Sequence, residues 1–323
     1  MVAYTGIQGQ NILIVSSDPA NPTEGQIWYN STSNLLKGYV VANVNAWEAG
    51  GSMNTARSAM ASAGTQTSAL AAGGAVPGPT AVSSATELYN GTAWTSNPTG
   101  LGTARQQMAG FGLQTAAIAI GGSLAPGDGL TNTESFNGST WSPVSSLNTA
   151  RRLLAGTGIQ TAGLAVGGLT PPRTQTESWN GSSWTNVNSL NTGRYGLTSF
   201  GSQTAAIAAG GDTGTNSESW NGTSWTATPS LNTGRSGLGS AGTQTLGLVF
   251  GGTPDGGATL TGATELWSGT SWTTNPNSLA TARQYVGGVG SQTAALAFGG
   301  GPNSAATEEW TGQAVQVRTI TTS

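Results

Sequence analysis

The chain has 323 residues and a net charge of −3, and only 7% of its residues are charged. It contains no Cys and no His, which excludes disulfides, thiolate metal sites and imidazole-based catalysis. We expect no cofactor, no bound metal and no nucleic-acid partner, because the charge balance lacks a basic footprint. We also expect no membrane association, since no apolar run approaches the ~20 residues of a membrane span. The first basic residue is Lys37, so a standard secretory signal is not predicted.

Residues 1–46 precede the repeats described below and are predicted to form an N-terminal attachment segment. Residues 18–40 predict a loop followed by a β-hairpin. The run Gly-Gln-Ile-Trp-Tyr-Asn at 25–30 resembles a short element of bacteriophage tail fibre proteins, where it precedes repeat or adhesion modules. This resemblance implies a virion setting, in which residues 1–46 bind other virion proteins.

One pattern occurs six times in the rest of the chain, at intervals of 41–48 residues. Each copy starts with Thr-Ala-Arg or Thr-Gly-Arg, continues through Gly-x-Gln-Thr and an apolar run to Gly-Gly, and then has Glu with an aromatic residue two positions later. The repeated arginines are Arg57, Arg105, Arg151, Arg194, Arg235 and Arg283. The repeated glutamates are Glu87, Glu134, Glu177, Glu218, Glu265 and Glu308. A Trp follows in five copies, whereas the sixth copy has Val315 at that place.

Each copy predicts four short strands, called a to d in chain order. The a segment is rich in Gly and Ala, which suits a place where backbones converge. The b segment is a continuous apolar run, as expected for a strand buried on both faces. The c segment carries the Glu and the aromatic residue, and Asn-Gly after it predicts a type I′ turn into the d segment. Four short strands in 40–50 residues are typical of a β-propeller.

The Gly-Gly after an apolar strand, the aromatic residue, the later Trp and the next Thr-Ala-Arg together resemble the kelch repeat, over roughly residues 45–315. This resemblance implies an all-β, six-bladed β-propeller of four-stranded kelch-like blades, assigned to residues 47–323. The pattern departs from kelch in having mostly Trp in place of the usual Tyr, and in its short loops. Kelch propellers include both enzymes and binding modules, so the fold alone does not assign a function.

Two segments compete for the outer strand of the last blade. Trp47 lies ten residues before Arg57, the separation found between Trp184 and Arg194, so it predicts a d strand without a c strand before it. The C-terminal run at 314–322 also alternates like a strand. We expect the ring to be closed by a strand from the opposite terminus, with both segments open as candidates.

The repeated Arg and Glu residues are interpreted as structural, with each Arg contacting a repeat Glu or a loop carbonyl, because a ligand rarely has sixfold symmetry. Five Asn-x-Ser/Thr sequences are interpreted as turn chemistry rather than glycosylation sites. They begin at Asn30, Asn90, Asn137, Asn180 and Asn221.

The connections between b and c vary most, from six to twelve residues between the second Gly and the Glu. In this strand order they share a face with the d–a connections, and kelch-type propellers commonly bind through that face. Variation on a uniform scaffold indicates specificity, so we predict that this face binds the ligand or partner. The candidate contact residues are Pro77, Pro79, Asp128, Pro171, Arg173, Asp212, Asp255 and Asn303.

The sequence therefore predicts a non-enzymatic virion structural or host-recognition module of a phage tail, with a host surface glycan or protein as its external partner. One alternative is a secreted or cell-surface glycan-binding lectin, which would be extracellular. The other is a glycosidase-like enzyme, which needs two converging carboxylates. Asp128, Asp212 and Asp255 are the candidates for such a pair.

Overall fold

The protein is all-β, as the sequence predicted. The structure, a computed structural model, describes residues 12–20, 26–42, 45–78, 81–124, 127–312 and 314–319. These residues contain seven four-stranded sheets and no helix. No helix that could cross a membrane is therefore found among them. The chain divides into two compact units, Ala46–Thr311 and a smaller one made of Met1–Asn45 with Gly312–Ser323.

The smaller unit contains a single sheet. Its strands are β1 (Leu13–Val15), β2 (Ile27–Asn30), β3 (Leu35–Ala42) and β28 (Ala314–Thr319). β1 pairs with β2 in parallel, β2 and β3 form an antiparallel hairpin, and β28 pairs antiparallel with β3. The C-terminal run, which the sequence analysis included in the repeat domain, thus pairs with the N-terminal hairpin.

Asp18 holds together the hairpin that carries the tail-fibre-like motif. Its carboxylate accepts hydrogen bonds from Trp28 Nε1 at 3.1 Å and Asn30 Nδ2 at 2.7 Å, and it pairs with Lys37 Nζ at 2.6 Å. These donors favour the charged form, Lys37 most of all, and lower the pKa of Asp18 to about 2. The motif therefore has a local structural role, in which the buried side chains of Trp28 and Asn30 both donate hydrogen bonds to the Asp18 carboxylate.

The larger unit contains six sheets, each with antiparallel neighbours in the order a, b, c, d. The a strands are β5 (Ala61–Thr65), β9 (Ala109–Leu113), β13 (Ala155–Ile159), β17 (Thr198–Gly201), β21 (Gly239–Gly242) and β25 (Gly287–Gly290). The b strands are β6 (Ser68–Ala72), β10 (Ala116–Ile120), β14 (Ala162–Val166), β18 (Ala206–Ala209), β22 (Gly247–Phe250) and β26 (Ala294–Phe298).

The outer half of each sheet carries the paired aromatic residues. The c strands are β7 (Thr86–Tyr89), β11 (Thr133–Phe136), β15 (Thr176–Trp179), β19 (Ser217–Trp220), β23 (Thr264–Trp267) and β27 (Thr307–Thr311). The d strands are β8 (Trp94–Asn97), β12 (Trp141–Pro143), β16 (Trp184–Val187), β20 (Trp225–Thr228), β24 (Trp272–Asn275) and, for the sixth sheet, β4 (Ala46–Gly50).

The sixth sheet takes its outer strand from the N-terminal side of the unit. β4 pairs with β27 so that Trp47 lies opposite Trp310, with ring centroids 5.3 Å apart. The same c–d contact joins Trp179 to Trp184 at 5.2 Å in the third sheet. Of the two candidate segments, the pairing selects β4.

The core lies between neighbouring sheets, because the b strands are apolar on both faces. Leu164 of the third sheet packs in one buried cluster with Ala206 and Trp220 of the fourth. An equivalent cluster joins Phe298 of the sixth sheet to Tyr89 of the first. The a strands contact one another in chain order, and β25 also contacts β5.

A repeated Gln links each sheet to the one before it. Gln160 Nε2, in the turn between β13 and β14, donates to the carbonyl of Phe136 at 2.6 Å. The equivalent bond from Gln66 reaches Trp310 at 2.7 Å, so the first sheet is tied to the sixth in the same way. The other four bonds of this kind start at Gln114, Gln203, Gln244 and Gln292.

The Gly-Gly pairs are required because the backbone passes very close to neighbouring backbone atoms at the end of each b strand. Gly73 and Gly74 have φ of 66° and 104°. A Cβ on Gly74 would lie 2.7 Å from the carbonyl oxygen of Ser58, which a side chain could not tolerate.

The c–d turn differs from the predicted type I′ turn. Tyr89 pairs directly with Trp94, which leaves a four-residue loop in which Gly91 has φ of 93° and Asn90 is not left-handed. Asn90 instead accepts the backbone N–H groups of Thr92 and Ala93 on its side-chain oxygen. This Asx-type cap replaces the second left-handed residue that a two-residue turn would need.

One sheet junction lacks a bond that five others have. Trp184 Nε1 of the third sheet donates to Thr133 Oγ1 at 3.2 Å, and Trp225 Nε1 donates to Thr176 Oγ1 at 3.0 Å. At the junction of the fourth and fifth sheets, Ser217 replaces the Thr, and neither its Oγ nor Trp272 Nε1 has a hydrogen-bond partner.

We predict that Ser217→Thr stabilises the larger unit by about 1 kcal/mol, because it supplies a partner for the buried indole N–H. Thermal unfolding should shift upward by roughly 2–4 °C. The matched control is Thr176→Val, which replaces the accepting hydroxyl with a methyl group at another junction and should lower the midpoint by a similar amount. A lowered midpoint for both variants would contradict the assignment.

We also predict that the hairpin of the smaller unit loosens as the pH falls from about 4 to about 2. A carboxyl whose folded pKa is depressed stabilises the fold above its unfolded pKa, near 3.8 for Asp18, and that stabilisation is lost as the pH falls through the folded value. The NMR signal of the Trp28 indole N–H should shift over this range, and in Asp18→Asn the shift should vanish. A Trp28 signal that does not move down to pH 2 would refute the prediction.

Candidate ligand-binding face

The repeated Arg and Glu residues are buried and paired within each sheet. Arg151 Nη2 lies 2.8 Å from Glu177 Oε1, while Arg151 Nη1 donates to the carbonyls of Gly167 and Gln175 at 2.9 and 3.0 Å. The second oxygen of Glu177 accepts the backbone N–H of Asn148 at 2.7 Å. The other pairs are Arg57–Glu87, Arg105–Glu134, Arg194–Glu218, Arg235–Glu265 and Arg283–Glu308. All twelve side chains are therefore enclosed within the repeats rather than available to a ligand.

These pairs anchor the d–a connection where it enters each sheet. The carbonyl of Arg151 accepts the N–H of Gly122, the second Gly of the preceding sheet, at 2.9 Å. The equivalent bond runs from Gly300 of the sixth sheet to the carbonyl of Arg57, also at 2.9 Å. The backbone around each Arg is thus fixed by both the sheet it enters and the sheet it leaves.

Two positions after each Arg, six residues form a closed cycle of backbone hydrogen bonds. They are Ala59, Gln107, Leu153, Gly196, Gly237 and Tyr285, and we call them the ring residues. Each donates its N–H to the carbonyl of the preceding ring residue, and Ala59 donates to Tyr285, at distances of 2.6 to 3.0 Å. All six have left-handed φ, a conformation that costs about 1–2 kcal/mol at each of the four that are not Gly.

The residue before each ring residue pairs with the start of a b–c connection. These flanking residues are Ser58, Gln106, Arg152, Tyr195, Ser236 and Gln284. Their partners are Ala75, Ser123, Leu169, Asp212, Thr253 and Gly301. We define the variable face as the ring residues, the flanking residues and the b–c connections that begin at these partners. No two repeats carry the same combination of ring residue, flanking residue and partner. Four repeats bond the flanking residue and its partner in both directions, whereas the carbonyls of Arg152 and Tyr195 accept the N–H of their partners and the described residues show no bond in return.

A cavity of about 130 Å³ is lined by ring residues and by the first residues of the a strands of all six repeats. Its wall includes Gln107, Leu153 and Tyr285. The variable face therefore has a depression at its centre that side chains from every repeat can reach.

Arg173 and Asp212 come together on this face from two neighbouring b–c connections. Arg173 Nη1 lies 3.8 Å from Asp212 Oδ2, and its guanidinium carbon lies 4.9 Å from the ring centroid of Tyr195. Asp212 Oδ1 is buried without a hydrogen-bond partner. Burial raises the pKa of Asp212, against the opposing effects of the Tyr195 backbone N–H and of the charges on Arg173 and Arg194.

Arg152 lies on the same face and forms no ion pair with any described residue. Its Nη1 donates to Gln107 Oε1 at 3.1 Å, an oxygen that also accepts Ser123 Oγ at 3.4 Å. Burial raises the pKa of Tyr285, Tyr195 adds to the rise, and the charge of Arg152 opposes it. Arg152 and the two phenols therefore lie within electrostatic range of one another.

Of the eight candidate contact residues, the structure brings some together and leaves others exposed on separate connections. Arg173 and Asp212 meet, as described, and Asn303 accepts a hydrogen bond from Ser58 Oγ at 3.1 Å. Three are exposed along their own connections, namely Pro77, Asp128 and Pro171. Asp255 is also exposed and caps its own loop, and Pro79 lies outside the described residues.

The carboxylate of Asp255 is occupied by that loop. It accepts Thr253 Oγ1 at 2.9 Å and the backbone N–H of Thr259 at 2.8 Å. Hydrogen bonds of this kind, those from Thr259 foremost, lower the pKa of Asp255 to about 2. Within the described ranges no three acidic side chains form a group that could hold a metal ion.

The residues that the sequence analysis missed are Arg152, Tyr195, Tyr285 and Gln107. It looked for variation in the length of the connections, and the d–a connections are almost constant in length. The available signal was the identity of the two residues after each repeated Arg, which changes from Ser-Ala to Arg-Leu to Tyr-Gly on an otherwise constant frame.

Compared with protein-family models and with curated proteins, the chain matches none of them.

We predict that Ala59→Gly stabilises the larger unit by about 0.5–1 kcal/mol. Relief of the left-handed strain is worth about 1–2 kcal/mol, and the added freedom of Gly in the unfolded chain offsets about 0.5–1 kcal/mol of it. The matched control is Ala61→Gly in β5, where φ is not left-handed, and it should destabilise. Chemical denaturation of both variants provides the measurement, and equal destabilisation would mean that the ring residues are not strained.

Proposed function

We propose that Ala46–Thr311 is a six-bladed β-propeller of kelch-like blades that binds a ligand through the variable face, and that the chain is a non-enzymatic recognition module of a phage virion. The surface glycan of a bacterial host is the proposed ligand. The smaller unit would attach the chain to other virion proteins.

The proposed ring geometry is supported by several sets of cyclic contacts. The ring residues, the Gln links and the bonds to the Arg carbonyls each join successive sheets, and each set continues from the sixth sheet to the first. β4 completes the sixth sheet, which supports closure by a strand from the N-terminal side.

The observation that carries the binding proposal is a constant backbone bearing side chains that differ in every repeat. Repeated residues serve the fold, because the same contact recurs six times. The variable face breaks that symmetry. Arg173 lies over the ring of Tyr195, Tyr195 and Arg152 lie within electrostatic range of Tyr285, and Tyr285 lines the cavity. Convergent polar groups and aromatic rings at a concave surface are what a binding site requires.

The chemistry of the carboxylates supports binding rather than hydrolysis. Asp212, with its raised pKa, faces Arg173 and Arg194 rather than a second carboxylate. Asp255 is held ionised by its own loop. A glycosidase needs a proton donor and a second acid that work together, whereas the partners of Asp212 and Asp255 described above are cations, a hydroxyl and backbone N–H groups.

The virion setting rests on the tail-fibre-like motif of the smaller unit. Trp28 and Asn30 of that motif converge on Asp18, so the motif encodes a compact hairpin in a unit separate from the repeats. A secreted lectin would use the same variable face and would differ in lacking a virion partner for the hairpin.

The test is binding to an array of bacterial surface polysaccharides. Tyr285→Gly and Tyr195→Ser introduce residues found at equivalent positions, Gly237 and Ser236, and so leave the backbone compatible. Each should weaken binding at least tenfold, because an aromatic contact is lost.

The matched controls are Leu113→Thr and Ile159→Ser in the a–b turns, where other repeats have Thr or Ser. Both side chains are more than half exposed, and both variants should bind normally. Loss of binding in these controls alone would assign recognition to the a–b turns. Release of reducing sugar from a bound polymer would contradict the non-enzymatic assignment.

A further inference from the structure

The larger unit contains two arginines outside the repeated pairs, and both lie on the variable face. Of the ten basic residues of the chain, six are the repeated arginines, and Lys37 and Arg318 belong to the smaller unit. Arg152 and Arg173 are the remaining two. Asp212 partly balances Arg173 at 3.8 Å, whereas the partner found for Arg152 is the amide oxygen of Gln107. Among the described residues the variable face thus carries one cation without a charged partner, in a chain that is acidic overall.

The setting of Arg152 suits an anion. A guanidinium has five N–H donors in a planar fork, and one hydrogen bond to Gln107 leaves most of them for a ligand. Carboxylates and sulfates can accept two parallel bonds from that fork. Gln107 is a ring residue, so the side chain that orients Arg152 stands on the fixed cycle of backbone bonds.

The same face offers a second, independent feature, which is a carboxylate partly open to solvent. The side chain of Asp212 is 31% exposed, and its Oδ2 lies 3.8 Å from Arg173 Nη1. The backbone N–H of Asp212 bonds to the carbonyl of Tyr195, the flanking residue one repeat after Arg152. Sugar hydroxyls donate hydrogen bonds to carboxylates of this kind, and the C–H face of a pyranose packs against aromatic rings such as those of Tyr195 and Tyr285.

We infer that the variable face binds a saccharide carrying an anionic group, with that group on Arg152, the sugar ring against Tyr195 or Tyr285, and a hydroxyl donating to the Asp212 carboxylate. This inference rests on the proposed binding function and adds the chemical class of the ligand. The shared chemistry is a sugar with a carboxylate or a sulfate.

The experiment measures binding of the full chain by calorimetry at 150 mM salt to three probes. Polygalacturonate carries carboxylates, dextran sulfate carries sulfates, and dextran is neutral. We expect at least one polyanion to bind and dextran not to bind, and the polymer that binds identifies the anionic group.

Arg152→Gln places on the face a residue found at the flanking positions of two other repeats, Gln106 and Gln284. It should weaken polyanion binding at least tenfold. The matched control is Ile159→Gln, the same new residue at a more than half exposed position at the a–b end of β13, and it should leave the affinity unchanged. Equal affinity of Arg152→Gln and the intact protein for the polyanion would overturn the inference.

The outcomes separate this inference from the proposed function. If neither polyanion binds, but a neutral array polymer binds and is lost in Tyr285→Gly, the anionic ligand is refuted and the binding face stands. If no polymer of the array binds, the proposed function itself fails and the inference falls with it.

Discussion

Six hydrogen bonds between backbone groups, from ring residue to ring residue, are the constraint on which the variable face depends. Because they use only N–H and C=O groups, they hold the same geometry whether the side chain is absent, as in Gly196, or large, as in Tyr285. The left-handed φ at each position is the cost of that arrangement. Side chains on the face are therefore free to differ without altering the frame.

Each type of repeated side chain stabilises a different contact within or between the sheets. The Arg–Glu pair fixes the connection that enters a sheet, the Gln links each sheet to the previous one, and the aromatic residues fill the space between sheets. Strands of three to five residues could not stand alone as sheets in water, so these cross-links make the unit cooperative. Ser217 lacks the methyl group of the Thr found at this position in the other repeats, and its hydroxyl does not accept a hydrogen bond from Trp272 Nε1.

Much of the fold could be predicted from the sequence because the repeat aligns six times. The apolar b runs, the aromatic pairs and the place of Trp47 in a d strand each follow from local pattern and spacing. The geometry of the c–d turn could not be predicted from Asn-Gly alone. The same dipeptide also occurs in a four-residue loop, where the Asn side chain accepts hydrogen bonds from the loop backbone. The meeting of Arg173 with Asp212 joins two connections in different repeats, and no sequence spacing encodes it. The sequence analysis missed Arg152 because it directly follows Arg151, a repeated Arg with a structural role.

The pairing of β4 with β27 has a consequence for the protein as it leaves the ribosome. β4 is synthesised before every other strand of its unit, and β27 is the last to emerge. At roughly 5–20 residues per second, the interval between them is on the order of tens of seconds. Throughout that time Trp47 lacks Trp310, and for most of it Trp47 also lacks Phe250. The nascent chain must therefore carry an unpaired, aromatic strand edge past five nearly identical sheets, and the charge of Glu48 in β4 limits the pairing of that edge with a neighbouring nascent chain.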